Sequence, residues 1–535
     1  MVLLLLLVIA VSVGQANMIY DVNLPAELMP YWFHTNPKAA EACKQDEQCA
    51  YAELLKTSNA SVCWGYEDDC TEDHQYSHPK CDGQFISKGS SIHNKVDQVS
   101  TFYKTADFGY VKKKMESLTV VCQPEHEGDS ILTCAEHTRY CRATNIYFDL
   151  TKLNSKSRKT RYQENIFAKG DVGGRCKLKK NVLRNMGSHK SPLQSWYAEL
   201  EMYTSLDYLP IQDGRCDIVI DKPTFIVKLD AGVSLYHHFC DFINLYQSMH
   251  MNNSFSTDVT IVMWDTSSWD YADFFVDTWR AFTDYNIVHL RQLDGKKVCF
   301  KDVVFPLLAR MRYGLYYNMP LVHGCNGSGV FHSFNRFLLH RLEIKRNIPI
   351  PGKVRVTVLQ RNTRYRNVLN QVALVEALER DAQLLVTLVE YNTSVPFLDQ
   401  MQQSQMSDVF IGMHGSGLAH LLFQPDWGVL FELYNCGDSY CYSDLSNLRG
   451  VKYMTWEDES KVTQQDKGHH PTLGAHQKFT NYEFDVDEFV RMVNKAKLYV
   501  LSHPTYVAAV ATAQPPTTHG EREQTTADVD NKDEL

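Results

Sequence analysis

The chain has 535 residues, 44% hydrophobic and 22% charged, an ordinary globular balance with room for two or three domains. A formal net charge of -9 gives no basic footprint and excludes a protein built to hold nucleic acid. None of its 15 cysteines falls in C-x-x-C spacing, which argues against a thioredoxin-like site or a zinc ribbon and predicts structural disulfides instead.

Residues 1–16, "MVLLLLLVIAVSVGQA", read as a secretory signal ending at Ala16. No later segment is apolar for long enough to span a bilayer. Residues 17–215 form a cysteine-rich, aromatic-rich region of weak periodicity, with Cys43, Cys49, Cys63, Cys70, Cys81, Cys122, Cys134 and Cys141 crowded near its start. The odd cysteine count leaves at least one free thiol, and Cys240, inside an apolar run, is the expected one.

From 216 to 348 the strand-like segments "CDIVI", "TFIVKLD", "DVTIVMW", "NIVHL" and "KVCFKDVVF" are interspersed with the helical "SLYHHFCDFINLYQSMH", "YADFFVDTWRAF" and "FHSFNRFLLHRLEI". After "NIPIPGK" the alternation is cleaner over 349–504, from strand "VRVTVLQ" to the long helix "VDEFVRMVNKAKLYVLSH". Strands alternating with helices predict an α/β fold of two Rossmann-like domains, 216–348 and 349–504, behind the disulfide-rich region. Residues 505–535 read as a flexible tail ending in Lys532-Asp533-Glu534-Leu535, a retrieval signal of the endoplasmic reticulum. With the leader and the glycosylation sequons at Asn59, Asn252, Asn326 and Asn392, the expected address is the lumen of that compartment, reached through the KDEL receptor.

Two stretches point to a bound anion. In "DVFIGMHGSGLAHLLF" a strand meets a loop in which Gly415 and Gly417 let the backbone approach a ligand, His414 can donate to a phosphate oxygen, and a helix is expected to begin at Leu418. The residue two before Ser416 is His414, so no G-x-S-x-G nucleophile elbow is present. In "VTVLQRNTRYRN" Arg361, Arg364 and Arg366 follow another strand and can set forked donors around a diphosphate. Glu432, in "VLFELYN", is placed to accept from a ribose or to pair with an arginine.

A third group, His238 and Asp241, is spaced i, i+3 on one helix face and can supply a general base or a buried pair. "DKGHHPTLGAH" puts His469, His470 and His476 near Lys467, in no common zinc spacing, and reads as a loop bringing charge toward the diphosphate. Asp284-Tyr285-Asn286 falls one carboxylate short of the Asp-x-Asp that holds Mn²⁺ with a nucleotide diphosphate.

Long strings along nearly the whole chain, among them "LPAELMPYWF", "CWGYE", "TADFGY", "HHFCDFINLY", "MWDTSS", "IGMHGSGLAHLLF", "FELYNC" and "DKGHHPTLG", resemble the EGF-domain-specific O-linked N-acetylglucosamine transferases of glycosyltransferase family 61. That resemblance implies a GT-B architecture and an inverting transfer of N-acetylglucosamine from UDP-N-acetylglucosamine. The acceptor would be a Thr or Ser hydroxyl between the fifth and sixth cysteines of folded EGF-like domains, such as those of Notch-type receptors. Arg361, Arg366, His414, Gly415 and Gly417 would hold the diphosphate, Glu432 the ribose, and His238 or Asp241 the acceptor's proton. Relatives carry Asp-Tyr-Asp where this chain has Asp284-Tyr285-Asn286, so the resemblance leaves the need for a cation such as Mn²⁺ open. The competing reading is a non-catalytic lectin or folding factor for EGF-domain proteins, which has no use for a diphosphate site.

Overall fold

The computed structural model describes residues 22–57, 62–83, 92–269, 272–320 and 322–513. The signal, Asn59 and the KDEL sequence lie outside them. Among the described residues no helix is long and apolar enough to cross a membrane.

Two sheets organise a mixed α/β fold. The larger has 11 strands, and its main path runs Val288–His289, Thr260–Met263, Thr224–Val227, Lys297–Phe305, Cys141–Asp149, Ile131–Cys134, Thr119–Gln123, Lys177–Leu178. The first four are parallel; from Lys297–Phe305 onward the neighbours are antiparallel. Sequence periodicity separates the cysteine-rich region from the rest of the chain at residue 215, but the sheet does not break there. Cys141–Asp149 lies against Lys297–Phe305 over eight registered pairs, so the early region supplies half of one sheet. Cys141–Asp149 has no clean alternation of buried and exposed residues, and its sequence therefore conceals this.

The second sheet has five parallel strands in the order Leu384–Glu390, Val354–Gln360, Val409–Gly412, Val429–Glu432, Lys452–Thr455. In chain order this is 2-1-3-4-5, a doubly wound arrangement. Helix Val486–Ser502 covers one face with Phe489, Met492, Val493, Ala496 and Val500, a stripe of helical spacing. Each large side chain in that stripe contributes roughly 1.5–3 kcal/mol by leaving water. The expected tail starts later than its composition suggests: Pro504–Ala513 is helical, and Tyr506 packs on Trp427 and donates to the carbonyls of Ile350 and Lys353.

One hydrophobic core crosses the "NIPIPGK" segment and takes in residues from both sheets' layers. At its centre is the 18-residue helix Leu235–Asn252, of which only Tyr236, His237 and Asn252 escape full burial. Its Phe239 ring meets Phe397 and Phe423 of the second half at 5.7 and 5.2 Å. The expected helix over "YADFFVDTWRAF" is only a short 3-10 turn, Val276–Ala281.

Among the described residues, six disulfides bind the early region to itself and to the sheet: Cys43–Cys49, Cys63–Cys70, Cys81–Cys325, Cys122–Cys176, Cys134–Cys141 and Cys216–Cys299. Cys240 is free as expected, and so are Cys436 and Cys441. The Cys81–Cys325 link spans 244 residues and joins the two-residue strands Lys80–Cys81 and Cys325–Asn326. Replacing both of its cysteines by serine is expected to lower stability by about 2–5 kcal/mol. The urea midpoint of the double variant, against the parent, measures this.

Candidate active site

The order 2-1-3-4-5 fixes where a ligand can enter. Strands Val354–Gln360 and Val409–Gly412 are neighbours, and the chain leaves them toward opposite edges of the sheet. A crevice therefore opens beyond their carboxyl ends. Arg361 directly follows the first strand, and Met413-His414-Gly415 directly follows the second.

At that point the glycine loop and the arginine loop touch. A Cβ on Gly415 would stand 2.3 Å from Arg361 Nη1 and push that guanidinium head aside, while Arg366 Nη1, at 3.5 Å, would be in ordinary contact. Arg366 Nη1 donates to the His414 carbonyl at 2.9 Å. Arg366 itself has φ of 63°, a left-handed conformation that long side chains rarely adopt, and its backbone N–H is fixed on the Thr480 carbonyl. The Nε atoms of Arg361 and Arg366 are both buried without a hydrogen-bond partner. Burial, and then the neighbouring Arg366, push the Arg361 guanidinium down to about 10. Two adjacent cations with unsatisfied donors are poised for an anion. Arg364, by contrast, is exposed, lies over the Tyr365 ring and does not line the crevice.

His414 is held from behind. Its Nδ1 is 2.8 Å from Glu432 Oε1, and the other carboxylate oxygen accepts from the Tyr453 hydroxyl at 2.5 Å. A carboxylate offers no proton, so Nδ1 carries the hydrogen and Nε2 is left for the crevice. Glu432 is fully buried with both oxygens engaged. It therefore orients His414 and does not serve a ribose, contrary to the expectation from its strand-end position. After Gly415 the chain makes a 3-10 turn, Ser416–Phe423, in place of the expected α-helix.

Two cavities flank Ser416. One, of about 650 Å³, is lined by Arg361, Tyr391, Phe397, Gly417 and His420, with Asp273 and Phe275 from the first half. The other, of about 610 Å³, is lined by Arg366, His414, Gly415 and Lys478, with Tyr236, His237 and Tyr317 opposite. Nothing in the sequence singles out His420. Its Nδ1–H donates to the Gly417 carbonyl at 2.7 Å, its ring lies 4.6 Å from Tyr391, and burial brings it down to about 4, so it is neutral.

The His238–Asp241 pair is displaced from the role expected of it. The two share a helix face, but Nδ1 and Oδ2 are 3.9 Å apart and His238 Nδ1 has no hydrogen-bond partner. His238 is wholly buried, stacked on Phe242, with Nε2 3.0 Å from Asp273 Oδ1. Asp241 accepts from the Asp230 N–H at 2.9 Å. Neither lines either cavity. The i, i+3 rule finds a common face, but the helix turns that face inward.

Asp284, Tyr285 and Asn286 are exposed and line neither cavity. Asp284 accepts from the Thr257 hydroxyl, and the Tyr285 hydroxyl donates to Asp258 at 2.6 Å. Among the described residues the single group of three close ligand atoms is Cys63, Glu67 and Cys70, two of them joined in a disulfide. The histidine loop is likewise no metal cluster: His470 and His476 accept from backbone amides, and Lys478, not Lys467, lines the crevice. Of the sequons, Asn392 borders the first cavity and Asn326 is exposed, while Asn252 is half-buried at a helix end.

The family described as Glycosyltransferase 61 matches residues 235–430, the span from the enclosed helix through the glycine loop. A protein of Bos taurus named EGF domain-specific O-linked N-acetylglucosamine transferase is 51% identical over 487 residues, 91% of each chain. Its namesake in Mus musculus is 50% identical over 92% of this chain and 93% of its own. The Drosophila melanogaster protein of that name is 43% identical over 90% and 92%. This chain belongs to glycosyltransferase family 61. Arg361, Arg366 and the glycine loop of this glycosyltransferase's crevice lie inside the matched span, and Glu432 and Lys478 lie beyond it.

Glu432→Ala would strand the Nδ1–H of His414 and the hydroxyl of Tyr453 in the interior. The expected loss is about 1–3 kcal/mol for each group left unsatisfied. It is read as a lower urea midpoint, and an unchanged midpoint would show that Glu432 does not hold them.

Proposed function

We propose that this glycosyltransferase moves N-acetylglucosamine from UDP-N-acetylglucosamine, with inversion, to Thr or Ser hydroxyls between the fifth and sixth cysteines of folded EGF-like domains. The relatives' printed name carries the acceptor and the sugar. The observation that supports the chemistry is the pair of half-buried arginines whose Nε donors are buried without a partner, set beside Gly415 at the switch point of a parallel sheet. Such donors suit the β-phosphate that departs when the anomeric bond breaks.

In this reading the diphosphate lies over Gly415 and Gly417 between Arg361 and Arg366. His414 acts here as the imidazolium, its Nδ1–H held by the Glu432 carboxylate, and donates from Nε2 as negative charge develops. The nucleoside takes the cavity of Tyr391 and His420, where flat rings can stack on a base. The sugar and the acceptor hydroxyl meet in the other cavity, between the two halves.

We read the two sheets as the two lobes of a GT-B enzyme, the first extended by antiparallel strands from the cysteine-rich region. The lumen of the endoplasmic reticulum is the proposed site of action. Six disulfides fit an oxidising compartment, and the leader and Lys532-Asp533-Glu534-Leu535 supply the address. Asp284-Tyr285-Asn286 does not fit a Mn²⁺ site at this crevice, since its side chains face solvent and are bonded elsewhere. No step is routed through a metal there.

Incubating a folded EGF-like repeat with the protein and UDP-N-acetylglucosamine should add one N-acetylhexosamine by intact mass. Arg361→Ala and His414→Ala should each slow that gain about 10²–10³-fold, the effect of losing one donor of this kind, ~2.7–4 kcal/mol. Full activity in both variants would overturn the diphosphate assignment. Gly415→Ala, whose methyl group displaces the Arg361 head, should weaken UDP binding measured by calorimetry while leaving the unfolding midpoint close to that of the parent.

A further inference from the structure

The enclosed helix Leu235–Asn252 reaches the second cavity with its first turn, and of its residues only Tyr236 and His237 line that cavity. His237 Nδ1 lies 3.0 Å from Asp230 Oδ2, an ion-pair approach in which neither atom completes a hydrogen bond; the histidine side chain is 29% exposed and the aspartate 5%. Arg310 Nε donates to the other oxygen, Asp230 Oδ1, at 2.8 Å. Asp241 fixes the backbone of Asp230 by accepting its N–H at 2.9 Å. Burial raises the Asp230 carboxyl, but His237 and Arg310 more than offset that and hold it below the usual carboxylate range. The result is a chain, Arg310–Asp230–His237, that ends at the cavity wall facing Arg366 and His414.

We propose that His237 is the general base that takes the acceptor's proton, with Asp230 and Arg310 as positioning residues; this rests on the transferase reading above. An ionised Asp230 keeps the hydrogen of His237 on Nδ1 and frees the Nε2 lone pair for the cavity. As the acceptor oxygen forms its bond to the anomeric carbon, its proton passes to His237 Nε2. The bond from that carbon to the β-phosphate oxygen breaks, and its electron pair leaves with UDP. The imidazolium formed is stabilised by Asp230, which itself stays ionised.

Asp444 is the other titratable group to weigh, because it lines the same cavity and is pushed up to about 7 by burial and then by Asp438. It stands on the helix Cys441–Arg449, on the wall that carries Arg366 and His414. Inversion requires the base and the departing diphosphate on opposite sides of the anomeric carbon. His237 satisfies that and Asp444 does not. The charged and titratable groups facing His237 are Asp230, Arg310, Tyr236, Tyr316 and Tyr317 on its own side, and Arg366, His414, Lys478, Asp438, Asp444, Tyr440, Tyr442 and the free thiol of Cys441 across the cavity.

The test uses full-length protein, a folded EGF-like repeat and UDP-N-acetylglucosamine. His237→Asn should bind UDP within about twofold of the parent by calorimetry, while transfer falls about 10²–10⁴-fold. The parent's rate should rise with pH through one ionisation, and His237→Asn should lose that limb. Asp230→Asn should keep the limb but move it to lower pH, because an imidazolium without its carboxylate neighbour gives up its proton more easily. Wild-type rate in His237→Asn, or a limb abolished by Asp444→Asn and retained in His237→Asn, would overturn the assignment. Should His237→Asn fail to fold, an unmoved limb in Asp230→Asn overturns it as well. A parent that binds UDP but never modifies the repeat would instead defeat the transferase reading on which the assignment rests.

Discussion

A helix with apolar and polar residues buried all round can form only where protein encloses it. The segment Leu235–Asn252 is of that kind, and the rest of the molecule is arranged to cover it. Phe239 and Phe242 meet rings from both halves, and Asn244, Gln247 and Ser248 turn their side chains back onto the helix's own carbonyls. Those back-bonds satisfy the donors of Asn244, Gln247 and Ser248, while the amide oxygens of Asn244 and Gln247 are left without a partner. Because the helix belongs to the first sheet's layer and packs on Ser416–Phe423 of the second, it sets the separation of the two crevice walls. Its first turn then presents His237 at a fixed place, and this precision comes from packing, not from the loop.

The opposite wall relies on a different principle. A buried carboxylate, Glu432, is satisfied by His414 and Tyr453, while the two arginines beside it are left with donors to spare. Placing the carboxylate against His414, and not against Arg361 or Arg366, keeps the cationic floor from being neutralised by the protein itself. Had Glu432 met an arginine, the crevice would have lost much of its pull on an anion. The strain of Arg366 at positive φ belongs to the same design, since it aims a long side chain back at the glycine loop.

Much of the second half is legible in the sequence because parallel strands there are continuous apolar runs separated by amphipathic helices. The glycine loop and Arg361 are recognisable from their position after such runs. What escapes depends on direction and not on spacing. His237 and His238 are adjacent in sequence, and a helix rotates them by about 100° relative to one another, so one faces the cavity and the other the core. Periodicity cannot tell which is which until the neighbours of the helix are known. Glu432 misleads for a related reason: its place at a strand end is common to ligands and to supporting residues, and only the hydrogen bonds distinguish them. The cysteine-rich region hides its place in the sheet because its longest strand, Cys141–Asp149, finds one of its neighbours, Lys297–Phe305, far along the chain.

That distant pairing also sets an order of events while the chain is being made. Cys141–Asp149 cannot find its central neighbour, and Cys81 cannot find its thiol partner, until Lys297–Phe305 and Cys325 have emerged from the ribosome. At roughly 5–20 residues per second, the 244 residues between the two cysteines take on the order of 10–50 s to synthesise. Through that interval the early segment carries unpaired strand edges and a reactive sulfhydryl, both open to the wrong partners. The nascent amino-terminal third thus stays open to mispairing well before there is a crevice for a sugar donor to enter.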